Sequence, residues 1–471
     1  MEHQSKKKKH KILEKVLITG IADKGKAVGR DEEGMVVFVE NAAPGDIVDV
    51  RVHKEKSGYS EGTALHIHKL SEDRVQPFCE HFNLCGGCRW QHISYESQLH
   101  HKQVLIENAF KHLAKVQVGE WQPILGCVEN TFYRNKMEYT FSNKRWLYHE
   151  EMLAGKSNLE DVLGFHRPGA FDKILNINKC WLQTEPSNEI RNGIKDLAIK
   201  RGFSFYDMKI QKGLMRNVLL RVTSLGEIMV IVSFHYNDEQ IEAFMEDIKV
   251  AFPNITSLMY CINPKFNDFI LDLPMVTYSG KGYIEENLGP VRFKIGPKSF
   301  FQTNTKQAER LFDTVVDFAE FNGTENVYDL YTGIGSIALY VASKVKHVVG
   351  IEEVAAAIVD AKENAELNNL TNTTFYAGDV KNILTDDFAE KHGKPDILIT
   401  DPPRAGMHLS VVEMLLKLEA PKLIYVSCNP STQARDLALM SEKYDVVKVR
   451  PVDMFPHTYH VENVALLHLK R

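Results

Sequence analysis

The chain has 471 residues, 44% apolar and 25% charged, which suits about three globular domains and excludes both a small disulfide-stapled module and a largely disordered chain. Lys plus Arg number 57 against 62 Asp plus Glu, so the net charge of -5 exerts no whole-molecule pull on a polyanion, and an RNA partner must be met by a local patch. No run of about 18 apolar residues occurs, and no signal-peptide core follows Lys6, Lys7, Lys8, Lys9 and Lys11, so a soluble cytoplasmic protein with no membrane partner is expected.

Residues 1–11 form a basic tail. From 12 to 70, short apolar strands at Val16-Leu17-Ile18, 35–39, 47–52 and 63–67 are punctuated by glycines, the pattern of a small OB-like β-barrel that can bind oligonucleotides. Residues 71–290 mix a cysteine cluster with alternating strands such as 218–222 and 228–232, and read as a central α+β domain. From 291 to 471 strands at 326–331, 347–352, 396–400 and 423–428 alternate with helices at 336–343, 354–369, 409–418 and 431–442. That is an α/β, Rossmann-like doubly wound domain with ligands at the carboxyl ends of its strands. The last two strands, near 445–452 and 461–469, are joined too closely for a helical crossover and should pair antiparallel.

The first strand of that domain runs into Tyr331-Thr332-Gly333-Ile334-Gly335-Ser336, where glycines allow a tight turn and a close approach to a ligand. Glu352 ends the next strand, where a carboxylate can accept from both ribose hydroxyls, and Asp379 ends the third. The loop lacks the third glycine that a pyrophosphate requires, so S-adenosylmethionine fits better than NAD. Asp401-Pro402-Pro403 ends the fourth strand, Cys428 the fifth, and Glu462 begins the last. A thiol beside two carboxylates suggests pyrimidine C5 chemistry. C5 is a poor nucleophile, so a thiolate first adds to C6, the resulting enolate takes a methyl group, and a base then removes the C5 proton.

Over nearly its whole length the chain resembles the S-adenosylmethionine-dependent RNA 5-methyluridine methyltransferases, with Ser299-Phe300-Phe301-Gln302-Thr303-Asn304 as a further shared segment. The resemblance implies a class I methyltransferase domain in which Gln302, Tyr331, Gly333, Gly335, Ser336, Glu352, Asp379 and Asp401 line the cofactor site; family members often carry Asn where Ser336 stands. It makes Cys428 the nucleophile, Glu462 the proton acceptor, Asp401 the residue that orients the uracil and Phe300 a ring stacked near it. The barrel resembles the TRAM domain that rRNA-directed members carry and bacterial tRNA-directed members lack. Part of 93–122 is expected to pack with the catalytic domain.

Cys79, Cys85, Cys88 and Cys180 form a second signature, since the two glycines between Cys85 and Cys88 free backbone N–H groups for sulfur. Spacing alone leaves zinc and an iron–sulfur cluster open. The similarity to the 4Fe-4S motif of cluster-bearing rRNA uridine methyltransferases favours the cluster. Cys127 and Cys261 read as ordinary core thiols. Arg134, Lys136 and Arg216 lie in aromatic or apolar, basic segments and are candidate RNA contacts. The expectation is a monomeric enzyme that methylates C5 of a uridine in 23S ribosomal RNA. The alternatives are a tRNA 5-methyluridine enzyme, an exocyclic-amine methyltransferase using Asp401-Pro402-Pro403, and a non-catalytic cluster-bearing RNA-binding protein.

Overall fold

The computed structural model describes residues 11–471, so Lys6 to Lys9 of the basic tail lie outside it. Strands Ile12–Ile21, Ala27–Arg30, Val36–Glu40, Ile47–Lys56 and Tyr59–Lys69 close into a barrel, the first pairing with the second and fourth and the third lying parallel to the fifth. Alternation does the sorting: Val37, Val39, Val48 and Val50 point inward while their neighbours face water. Gly62 is required by closure, because a Cβ there would sit 2.4 Å from Val50 Cγ1 and 2.6 Å from the Arg51 carbonyl oxygen.

A seven-stranded sheet follows, with Met215–Val222 and Ile228–Phe234 buried along their full length near its centre. Helices Ser187–Lys200 and Ile241–Ala251 pack on one face through residues such as Ile190, Ile194, Phe244 and Ile248. Leu219, Met229, Ile231 and Met259 belong instead to the core shared with the C-terminal domain. The two domains therefore share apolar packing.

The C-terminal sheet has eight strands in the order Thr373–Ala377, His347–Glu352, Asn326–Leu330, Ile397–Thr400, Lys422–Ser427, Glu462–Leu469, Tyr444–Val452 and Val118–Trp121. The first five are parallel and Glu462–Leu469 runs antiparallel to both neighbours. The chain winds outward from Asn326–Leu330 in one direction and resumes on its other side at Ile397–Thr400, which creates a crevice at the carboxyl ends. Helix Tyr95–Ala109 and strand Val118–Trp121 come from the segment before the central sheet, and the strand completes the edge beside Tyr444–Val452.

Two boundaries differ from the sequence expectation. The division at 291 falls inside a hairpin, Ile284–Leu288 with Val291–Ile295, whose Lys294 N–H donates to Asn364 Oδ1 of helix Ala355–Leu367 at 2.8 Å. The hairpin's period-two pattern resembles the strands before it, and only its packing assigns it to the C-terminal domain. The third strand ends at Ala377, so Asp379 caps the following helical turn and accepts from Lys381 N–H. Among the described residues no helix is long and apolar enough to cross a membrane.

Candidate active site

Strand Asn326–Leu330 delivers Tyr331 in the left-handed region at φ 63°, and Gly333 and Gly335 follow at φ 58° and 82°. Nothing lies within 4 Å of where a Gly333 Cβ would be, so the loop borders open space. Glu352 lies below that space. Its two oxygens accept from Gly333 N–H at 3.1 Å and Val354 N–H at 2.9 Å, which fixes the carboxylate at the strand end. Glu352 and Asp379 both lie close enough to raise the Tyr331 hydroxyl, which burial and these acids push up to about 12. Ser336 opens helix Ser336–Ala342, and Gln302 precedes Asn304, which caps helix Thr305–Ala319. Tyr331, Glu352 and Asp379 thus converge at the crevice mouth, where an adenosine-type ligand would find carboxylate acceptors and an accessible backbone.

The candidate reacting groups come from three neighbouring strands. Ser427 pairs with Asn463 across an antiparallel register, so Cys428, one residue beyond the strand end, is level with Glu462 at the start of its partner. Asp401 follows Thr400 on the other side of Lys422–Ser427. Burial raises the Glu462 and Asp401 carboxyls well above the usual carboxylate range, and each repulsion between acids adds to it: Asp401 acts on Glu462, and Asp329 on Asp401. Burial, Glu462 and Asp401 together push the Cys428 thiol up to about 11. Arg404 opposes all of this, favouring both the thiolate and the Glu462 carboxylate. The result is a sheet edge that brings together a thiol, two acids with raised carboxyls and one cation.

Sequence reasoning passed over two members of this group. Arg404 stands in the same Asp-Pro-Pro-Arg turn as Asp401 but was assigned no role. Asp329, inside the strand that leads to the glycine loop, is buried and raised to about 7; its Oδ2 accepts from Thr332 Oγ1 at 2.5 Å and Ala338 N–H at 3.1 Å, while Oδ1 has no partner. Its place on the glycine loop's own strand was the available signal.

Cys79, Cys85, Cys88 and Cys180 line one cavity of about 570 Å³, together with Arg134, Lys136 and Lys179. Gly87 N–H donates to Cys85 Sγ at 3.4 Å. Burial pushes the Cys85 and Cys88 thiols up to about 12. Among the described residues no group of three or more His, Cys, Asp or Glu is placed to hold a metal ion, so the four sulfurs share a cavity without converging on one point. Cys261 is buried in the core, whereas Cys127 donates through Sγ to the Asp453 carbonyl at 3.0 Å.

The four candidate substrate contacts separate. Phe300 is 70% exposed and Arg134 is half-buried with its guanidinium 5.5 Å from the Phe455 ring centre. Lys136 is half-buried, and desolvation lowers its ammonium. Arg216 overturns its assignment: it is 1% exposed, and its guanidinium donates to the carbonyls of Asn263, Lys265 and Asn267 and to Asp268 Oδ1. A basic residue beside apolar ones in a strand reads the same whether its head meets RNA or pins a loop from within.

The family model for tRNA (uracil-5-)-methyltransferase matches residues 280–470, and the TRAM domain model matches 13–65. An uncharacterized RNA methyltransferase of Bacteroides thetaiotaomicron is 48% identical over 96% of this chain and all of its own length. Another, of Porphyromonas gingivalis, is 50% identical over 96% of this chain and 98% of its own. Among solved structures, Pyrococcus abyssi tRNA (uracil-54, C5)-methyltransferase in complex with S-adenosyl-L-homocysteine superposes with a TM-score of 0.73 at 26% identity, covering 96% of this chain and 99% of that one.

Proposed function

This chain belongs to the RNA (uracil-5-)-methyltransferase family, and on that premise we propose that it methylates C5 of one uridine in 23S ribosomal RNA, with S-adenosylmethionine as methyl donor. The observation that carries the C5 reading is the convergence of Cys428, Glu462 and Asp401 at the carboxyl edge of one sheet. The Cys428 thiolate adds to C6, forming a carbon–sulfur bond and moving the ring π electrons onto C5 and the C4 oxygen. C5 then takes the methyl group that S-adenosylmethionine supplies, which departs as S-adenosylhomocysteine. Glu462 accepts the C5 proton, the C5–C6 double bond re-forms, and the thiolate leaves. Asp401, its carboxyl raised by burial, can donate to a uracil oxygen or accept from the ring N–H, and Arg404 offsets the negative charge that develops. A uridine must leave its stack to reach Cys428, which favours an irregular or single-stranded target with the exposed Phe300 ring available for stacking.

Gln302, Tyr331, Gly333, Gly335, Ser336, Glu352 and Asp379 would hold the cofactor, with the open space beside Gly333 as its seat. Cys79, Cys85, Cys88 and Cys180 would hold a 4Fe-4S cluster: four sulfurs around a roomy cavity suit a polynuclear group better than a single zinc ion, and the group's positive metal centres would let the buried thiols ionise.

The choice of ribosomal RNA rests on the resemblance of the cysteine quartet. The barrel does not separate the two substrates, because the Pyrococcus tRNA enzyme aligns with 96% of this chain, leaving fewer residues unmatched than the barrel contains. Transfer RNA is therefore the second reading. Incubation with labelled S-adenosylmethionine and unmodified ribosomal and transfer RNA, followed by nuclease digestion and mass spectrometry, distinguishes them. 5-Methyluridine at one large-subunit position supports the first reading, and label confined to transfer RNA overturns it.

A further inference from the structure

The loop between strands Tyr444–Val452 and Glu462–Leu469 ends at Glu462, and besides its own internal hydrogen bonds and one from Asn304 Nδ2 to the Met454 carbonyl at 3.0 Å, its main chain is held by residues from the N-terminal third of the protein. Asp453 is fully buried. Its Oδ1 pairs with Lys102 Nζ at 2.5 Å and its Oδ2 accepts from Tyr95 Oη at 2.8 Å. Lys102 Nζ also donates to the Phe455 carbonyl at 3.1 Å, and Tyr133 Oη to the Pro456 carbonyl at 3.0 Å. His457 adopts φ 64°, a conformation that non-glycine residues rarely hold unless their surroundings fix it. Here the fixing is explicit: Gln98 Oε1 accepts from the His457 N–H at 2.8 Å, and Gln98 Nε2 lies 3.2 Å from the His457 Nδ1. The His457 carbonyl accepts from the N–H groups of Arg89 at 2.8 Å and Trp90 at 3.0 Å. Two residues on, the barrel reaches the same loop, where a Cβ on Gly25 would lie 2.6 Å from Tyr459 Cβ.

Gln98 is completely buried, and its remaining donor contacts, to the carbonyls of Trp90 and Ile93, fasten helix Tyr95–Ala109 to the segment that follows Cys88. One amide thus joins the cysteine segment, the helix and the loop that presents Glu462. Such a network is more than the local sheet needs, because strands Tyr444–Val452 and Glu462–Leu469 already pair in register up to Val452 and Glu462.

We propose that Gln98 and Lys102 are positioning residues for proton removal: by fixing the main chain of 453–461 they set the Glu462 carboxyl against C5 of the bound uridine. The inference rests on the covalent C5 mechanism above and adds to it a route by which the N-terminal third acts on chemistry. Cys428 and the cofactor crevice stand on other strands, so thiolate addition and methyl transfer proceed in a Gln98 variant, while elimination lags. The methylated uridine then stays attached to Cys428.

The test is the partition of methyl label, after denaturation, between protein-bound and free RNA in a single turnover. Gln98→Leu should raise the bound share roughly tenfold or more, in line with the usual contribution of a well-placed general base. Gln98→Asn keeps the amide but withdraws it by one methylene, disturbs folding less, and should give a smaller rise. Equilibrium binding of S-adenosylmethionine should be unchanged in both, and Glu462→Gln serves as the reference for a blocked elimination. Parallel loss of total methylation with no rise in bound RNA, or no change in either variant, would overturn the proposal. If Glu462→Gln also traps nothing, the covalent mechanism itself falls and the proposal with it.

Discussion

The catalytic edge and the cysteine cavity both bury ionisable groups, yet they do so to opposite ends. At the edge, Asp401 and Glu462 face each other and Cys428 with Arg404 alongside, so burial and repulsion lift the acids while the cation draws charge back. Protonation there is left near balance and a proton can move in either direction. In the cavity, burial lifts Cys85 and Cys88 to about 12 and Glu138, the carboxylate in the lining, contributes to neither rise, so both remain neutral thiols unless a metal group supplies positive charge.

The largest effect expected at the edge is from Cys428→Ala, which should reduce uridine methylation by about 10⁴-fold or more, because no other group at the pocket can activate C5. Single-turnover transfer of labelled methyl measures it. Glu462→Gln should lower turnover by about 10²- to 10⁴-fold, with covalent RNA accumulating on Cys428. The same variant sharpens the contrast in stability. A carboxyl whose folded pKa is raised costs nothing below its unfolded value and progressively more as pH climbs toward the folded one. Glutamine should therefore stabilise the fold by roughly 1–3 kcal/mol at mildly alkaline pH, a gain that vanishes below about pH 4. Denaturant titration at several pH values reads it. Since the thiol and Glu462 both need to lose protons, the rate should rise with pH from neutrality toward about 11 in the free enzyme.

Glu352→Ala probes the cofactor side and should weaken S-adenosylmethionine binding about 10- to 100-fold by removing a charged acceptor. Calorimetry would show it. Smaller changes are expected away from the edge. Cys85→Ser should lose bound iron and sulfide and about 2 kcal/mol or more of stability, whereas protein that holds neither iron nor zinc in its parent form would remove the cavity from the metal sites altogether. Arg216→Met removes the donor shared by three carbonyls and a carboxylate, of which the Asn263 and Asn267 carbonyls keep a second partner, and should lower stability by about 1–3 kcal/mol while the folded protein keeps its RNA affinity.

The class I sheet and the residues at its carboxyl edge were legible because strand ends, glycine spacing and an Asp-Pro-Pro turn are local patterns, and local patterns fix which residues stand at such an edge. Arg404 and Asp329 were within those patterns and went unread, since neither has chemistry until Asp401 and Glu462 are seen beside it. Arg216 was misread, as a strand cation carries no mark of whether water or a loop receives it. The clamp on residues 453–461 was beyond reach: Lys102 and Asp453 are 351 positions apart and fully buried, and nothing in either neighbourhood marks a pair.

The central claim is that Cys428 forms a covalent bond to uridine C6 that Glu462 must release. RNA carrying 5-fluorouridine offers no proton at C5 for Glu462 to take, so after methyl transfer the thiolate has no way to leave. Incubated with S-adenosylmethionine, the protein should form a denaturation-resistant RNA complex that mass spectrometry assigns to Cys428. Methyl transfer to ordinary RNA, with no covalent complex on the fluorinated RNA, would contradict the account and place the methyl group on an exocyclic atom instead.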